Sequence, residues 1–493
     1  KNKSQEITLK IKRRCFMRKA SPPFLHFLRI HISKMHTRTL ISNATIVNEG
    51  RSFIGSVLIE DDHIETIAEG YNKISGFAAD TVINASGCIL LPGVIDEHVH
   101  LRDPGLTHKA DITTESRAAA AGGITTFLDM PNTLPQTTSL KAFQEKLALM
   151  EQKSHVNYGC FFGATQDNLE EMLRLDRRKV CGIKLFMGAS TGNMLVDNDL
   201  ALDAIFEQTS MPQTGDKQKK VHGLPVMVHC EDSEIIARNM AACKEKYGCD
   251  PDIRFHSEIR SEEACLSSTR RAIALAKKHH TRLHVAHVST ASELKLFSKD
   301  TPYITAEACV PHLLFTNEDY HQLGARIKCN PAIKTIADRT ALRKALTDGT
   351  ISVIGTDHAP HTLQEKSGGA AKAVSGMPML QFSLVSMLEL VDERILSLER
   401  VVELMCHAPA RLFNIENRGY LREGFKADLV LVRPQSPWTL TPNRIESRCN
   451  WSPLEGHTFR WRIEKTFCNG FLIYNKGGLT DENFRGLAVT YDR

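Results

Sequence analysis

Leu90-Leu91-Pro92-Gly93-Val94-Ile95-Asp96-Glu97-His98-Val99-His100-Leu101-Arg102 is an apolar run that ends in polar side chains able to bind metal. Side chains alternate faces on an extended strand, so His98, His100 and, if the strand continues, Arg102 point the same way. Two histidines two residues apart at a strand end can grip one metal ion. A lone His-x-His is weak evidence. This one gains weight because it closes an apolar strand and because the arrangement recurs downstream.

Short apolar runs, each followed by a helical-looking stretch, lie at 89–99, 125–130, 157–162, 182–187, 225–229, 282–288, 303–310 and 352–356. The stretches between them are rich in Ala, Leu, Glu and Lys, as at 139–153 and 262–278. Eight strand–helix repeats predict a (β/α)8 TIM barrel, with a doubly wound open sheet as the competing arrangement. A barrel makes a sharp demand: its chemistry belongs at the C-terminal ends of the strands.

The fifth run ends at His229, the sixth in His284-Val285-Ala286-His287, and the eighth in Gly355-Thr356-Asp357-His358. One buried histidine is usually a packed core residue. Four strand ends that all offer imidazole or carboxylate, with no thiolate pair, point instead to a metal, and zinc suits that donor set. His284 and His287 face opposite sides of an extended strand. His287 is nearer the mouth and is the expected ligand; His284 is expected to pack. The fourth run holds Lys184 among apolar neighbours. A lysine there either sends its charge out to solvent along its alkyl stem or is modified. Carboxylation by carbon dioxide would give a carbamate, an anion able to bridge two metals ~3.5–4 Å apart.

Outside the repeats the chain is β-rich: 39–47, 56–67, 427–435 and 469–474 all read as strands. The 493 residues are 42% hydrophobic and 24% charged, ordinary for a globular chain. No apolar run approaches the ~20 residues of a membrane span. The 13 cysteines form no Cys-x-x-Cys pair and fit reduced thiols in a cytoplasmic protein better than a disulfide scaffold. The net charge of +5 misleads, because residues 1–34 carry ten Lys/Arg against one Glu and the remainder is mildly acidic. That leaves no basic stripe for nucleic acid. Residues 1–34 show no clean period. They are expected to be a disordered or non-native extension, with a targeting peptide as the alternative.

Four stretches together resemble the amidohydrolase superfamily, and within it the dihydroorotases. They are Asp96-Glu97-His98-Val99-His100-Leu101-Arg102-Asp103-Pro104-Gly105, Ala119-Ala120-Ala121-Gly122-Gly123-Ile124-Thr125-Thr126, Met130-Pro131-Asn132-Thr133 and Thr356-Asp357-His358-Ala359-Pro360-His361. The resemblance runs from about residue 38 to 480. It implies a (β/α)8 catalytic barrel over 91–414 and a small β-sandwich domain built from 35–90 and 415–493. It implies two zinc ions: His98, His100 and Asp357 on one, His229 and His287 on the other, and Lys184 as a carbamate between them. Many long-type bacterial relatives bridge instead through an Asp-Asp-Gly motif. The corresponding stretch here, Gly188-Ala189-Ser190-Thr191-Gly192-Asn193-Met194, lacks it, which leaves Lys184 as the bridge.

The activity implied is reversible hydrolysis of a cyclic amide, between dihydroorotate and N-carbamoyl-L-aspartate in pyrimidine biosynthesis, with Asp357 as the catalytic proton carrier. Arg102 can pair with the substrate carboxylate. Asn132, His361 and Asn330, the last in Lys328-Cys329-Asn330-Pro331, are the further expected substrate contacts. Asn132 and Asn330 adjoin prolines and could equally shape turns. His312 receives no role. Residues 364–378, with Gly368, Gly369 and Gly376, read as a mobile loop at the mouth and a candidate lid. The expected partner is a small-molecule substrate, with no nucleic acid or membrane, and a homo-oligomer is compatible with the sequence. The rivals are a hydantoinase, dihydropyrimidinase or allantoinase, and a non-catalytic scaffold on the same barrel.

Overall fold

The computed structural model describes residues 37–73, 78–188, 194–211 and 223–493. The extension read at 1–34 and most of the stretch that replaces the Asp-Asp-Gly motif, 189–193, lie outside them.

Eight parallel strands form the central barrel: β1 Val94–Val99, β2 Ile124–Asp129, β3 Asn157–Cys160 with its continuation Phe162–Gly163, β4 Ile183–Phe186, β5 Val226–His229, β6 Leu283–Val285, β7 Ile304–Cys309 and β8 Val353–Gly355. β1–β2–β3 pair in parallel, as do the continuation of β3 and β4 through β8. A parallel bridge between Val99 and His358 joins the end of β1 to the residues just after β8 and closes the ring. Helices return the chain between strands, and side chains mark their starts. Asp111 caps Ile112–Ala121 in a capping box, Ser261 caps Glu262–His279 and Thr335 caps Ile336–Asp348. The strands are buried on both faces, so they read as unbroken apolar runs rather than alternating ones.

The expected strand at 89–99 is two strands. Ile89–Pro92 belongs to a different sheet, and the barrel strand begins only at Val94. Gly93 marks the crossing. A Cβ there would lie 2.1 Å from Thr125 Oγ1, so only glycine lets the backbone pass. The expected run at 282–288 is a strand over Leu283–Val285 alone, because His287 adopts a left-handed backbone (φ 38°).

Ile89–Pro92 sits at the centre of a nine-stranded sheet. It pairs in parallel with Arg38–Asn48 from the N-terminal side and antiparallel with Leu429–Arg433 from the C-terminal side. Ile41, Ile46, Val57 and Ile59 pack with Leu90, Leu429, Leu431 and Phe467 in one buried cluster, which joins the two chain ends into a β-sandwich. The fold is therefore a (β/α)8 barrel with a β-sandwich. The last residues leave that sheet. Ala488 bridges to Tyr158, and the Tyr491 hydroxyl donates to Cys181 Sγ (2.9 Å) among Ile95, Leu128, Phe161 and Phe413 beneath the barrel. No helix among the described residues is long and apolar enough to cross a membrane.

Candidate metal centre

β1 delivers His98 and, one residue past its end, His100. β4 carries Lys184, β5 ends on His229, and the residues after β6 and β8 supply His287 and Asp357. All six line one cavity of about 40 Å³ at the C-terminal mouth of the barrel, with Arg102 and Asn330 beside them. Asp357 Oδ1 lies 3.4 Å from His98 Nε2 and 3.1 Å from His100 Nε2. His229 Nδ1 and His287 Nε2 face each other at 2.9 Å. The two sets adjoin, with the His98 and His287 ring centres 5.4 Å apart.

The electrostatics favour metal-binding forms. Burial pushes His100 down to about 4 and also lowers His229 and His287, so these imidazoles are neutral. Burial alone would raise the Asp357 carboxyl. The neighbouring His98, His100 and Lys184 outweigh it and hold the group ionised. Lys184 is fully buried, and its Nζ has no hydrogen-bond partner. Burial lowers its pKa. A buried, unsatisfied amine is costly unless something present in the working protein engages it. His287 Nδ1 and Asn330 Oδ1 are likewise buried without partners. Neutral nitrogen and ionised oxygen donors gathered around one cavity fit the binding of divalent metal.

Backbone strain gathers here. Arg102 (φ 66°), His287 (φ 38°) and Asp357 (φ 47°) are non-glycine residues in the left-handed region. Such positions cost about 1–3 kcal/mol each and persist where the surroundings enforce them. β1 stops at Val99, so Arg102 does not share the extended face of His98 and His100 as the strand reading predicts. A left-handed turn brings it back to the cavity instead. Asp129, at the end of β2, holds that turn: it accepts the Leu101 N–H (2.9 Å) and pairs with buried Lys146 (2.6 Å).

The other expected residues are placed as follows. Arg102 is buried and donates from Nε to the Pro360 carbonyl (3.1 Å) and from Nη2 to His361 Nε2 (3.0 Å). His361 therefore touches Arg102 and lies outside the cavity lining. Burial, then Arg102 and Lys109, keep it neutral. Asn132 also lies outside the lining; its Oδ1 accepts from His100 Nδ1 (2.7 Å) and so orients that ring. His284 bonds Thr305 Oγ1 (2.8 Å) and packs edge-on against Phe413. His312 donates from Nε2 to the Pro331 carbonyl (3.0 Å), and His358 turns away to Glu115 (2.9 Å). In the segment 364–378, Ser375 and Gly376 line the cavity. Lys366 Nζ bonds the carbonyls of Lys328, Val374 and Gly376, and Lys328 Nζ bonds those of Ala370 and Ala373, which ties the segment down.

Two carboxylates escaped the sequence reading. Glu307, on β7, accepts from His98 Nδ1 (2.9 Å) and from the His287 backbone N–H (2.8 Å), so one buried side chain orients a residue of each histidine set. Glu231 lies 3.0 Å from His229 Nε2 and is itself held by Arg260. Both had a signal, a charged residue inside or just past an apolar run, the same signal that singles out Lys184. Carboxylates behind histidine ligands fix the tautomer and the ring direction. Glu307→Gln should lower metal affinity about 10–100-fold in competition with a chelator. Unchanged affinity would show that the contact only fills space.

Residues 89–473 match the amidohydrolase family. A dihydroorotase of Methanosphaera stadtmanae is 33% identical over 408 residues, 82% of this chain and 90% of that protein. An allantoinase of Bacillus velezensis is 31% identical over 89% of this chain and 94% of its own length. Among solved structures, an L-hydantoinase (dihydropyrimidinase) from Arthrobacter aurescens superposes with a TM-score of 0.86 at 28% identity, covering 92% of this chain and all of that one. With the family matched over residues 89–473 and candidate metal ligands gathered at the barrel mouth, this chain belongs to the amidohydrolase family.

Proposed function

We propose that this hydrolase is a dihydroorotase, interconverting dihydroorotate and N-carbamoyl-L-aspartate with two zinc ions bridged by carboxylated Lys184. The observation that carries the reading is Arg102. It is a buried guanidinium on the cavity wall that makes no ion pair among the described residues. Burial lowers its pKa only to about 10, so it stays charged. An unmatched buried cation calls for an anionic ligand. Dihydroorotate carries a carboxylate; allantoin and hydantoin are neutral.

His98, His100 and Asp357 would hold one cation, His229 and His287 the other, and Lys184 both. Such a pair supplies acidified water and a polarised scissile carbonyl near neutral pH. The side chains do the rest. Asp357, ionised and at the cavity wall, accepts a proton from the attacking water and returns it to the departing ring nitrogen as the C–N bond breaks. Arg102 anchors the carboxylate, and His361 holds Arg102 in place. Asn330 Oδ1, buried and unpartnered, can accept a ring N–H. The twelve cysteines among the described residues are free, which supports a cytoplasmic setting.

The test is a substrate panel. Turnover of dihydroorotate with little of allantoin or hydantoin is expected. The reverse order, which the allantoinase relatives make the main rival, would overturn the reading. Arg102→Ala should raise KM for dihydroorotate about 10- to 100-fold with metal content unchanged. Loss of metal in that variant would make Arg102 a structural residue.

A further inference from the structure

A second cavity lies where the barrel meets the sandwich and shares no residue with the metal centre. Its volume is about 480 Å³, within the range of small-molecule sites, which favour seams between domains. We propose that it binds a nucleotide: an aromatic base carrying a phosphate group.

The walls are aromatic. Phe382 comes from the barrel side, Trp438 from a separate two-stranded sheet that it forms with Phe459, and Tyr474 from the nine-stranded sheet. The rim is cationic, with Arg444, Arg462 and Lys476. Two of the local charges are already matched. The rim carboxylate, Glu446, pairs with Arg117 (3.4 Å), and Lys476 lies 3.7 Å from Glu464. Arg444 and Arg462 have no carboxylate partner among the described residues. The Arg444 guanidinium rests 5.4 Å from the Trp438 ring centre, and its side chain is exposed. Arg462 donates once, to the Pro437 carbonyl (3.2 Å), and its Nε is buried with no acceptor.

These features select a ligand class. Guanidinium groups without a carboxylate partner are matched best by an ionised oxygen, which phosphate supplies. A flat ring stacks on Trp438 or Tyr474, where arginine adds a cation–π contact. Inorganic phosphate would leave the aromatic walls and most of the volume unused. An uncharged aromatic would leave both arginines unmatched. One molecule with a base and a phosphate satisfies both demands.

The test is calorimetry on the full chain with adenosine and uridine 5′-monophosphate, adenosine, uridine and inorganic phosphate. At least one nucleotide should bind saturably, one per chain, quenching tryptophan fluorescence. The matching nucleoside and phosphate should each bind about tenfold more weakly or worse. Arg444→Ala, at an exposed side chain, should weaken nucleotide binding about tenfold while hydrolytic activity reports an intact fold. Trp438→Leu should also weaken it, and Asp357→Asn should leave it unchanged. The proposal is overturned if neither nucleotide saturates, if phosphate alone binds as tightly, or if Asp357→Asn abolishes binding that Arg444→Ala retains.

Discussion

Asp357→Asn should lower kcat by about 10³-fold or more while the protein stays folded. The substitution keeps the side chain's size and one oxygen but removes the charge that His98 and His100 share at 3.4 and 3.1 Å. An amide cannot carry a proton from water to a leaving nitrogen. The decisive comparison is kcat beside metal content. Metal retained with turnover lost is the expected outcome. Turnover within tenfold of the original would remove Asp357 from proton transfer, and parallel loss of metal and turnover would make it a ligand only.

Lys184 gives the second large effect, and it has two signs. Lys184→Ala should lose most bound metal and about 10³-fold or more in activity if the proposed carbamate supplies the bridging anion. A short carboxylate such as propionate, filling the space vacated, should restore part of both. Lys184→Met should instead raise the melting temperature of the metal-free protein by a few degrees, since it replaces a buried amine without hydrogen-bond partners by an apolar chain of similar length. Metal-free stability equal to that of the unaltered chain would mean Lys184 is satisfied in a way the unpartnered Nζ does not show. Bicarbonate depletion during metal loading gives an independent check: occupancy should fall for the unaltered chain and not for Lys184→Ala.

The barrel was legible in the sequence because strands covered on both faces leave continuous apolar runs, and barrel topology then says where chemistry must sit. His98, His229, His287 and Asp357 could be gathered on that argument alone. What the residues hid was mostly partnership over distance. Glu307 lies 209 residues from His98, and nothing local ties the two. Asn132 presents two donors and an acceptor in sequence, and only its contact with His100 shows that the oxygen is committed. The break at Gly93 depends on Thr125, a neighbour on the next strand. The glycines of 364–378 suggest looseness, yet the segment is tied through backbone carbonyls bound by Lys328 and Lys366, and carbonyls carry no sequence signal.

The left-handed backbone at Arg102, His287 and Asp357 has a consequence for engineering. Glycine at any of the three would relax a torsion worth about 1–3 kcal/mol while deleting the side chain's own contacts, so wherever the torsion outweighs those contacts the variant melts higher while the enzyme is silenced. A library screened for heat resistance alone would therefore drift toward robust but inert proteins, erasing these positions first. Selection for thermal tolerance in this fold has to be coupled to an activity screen from its first round.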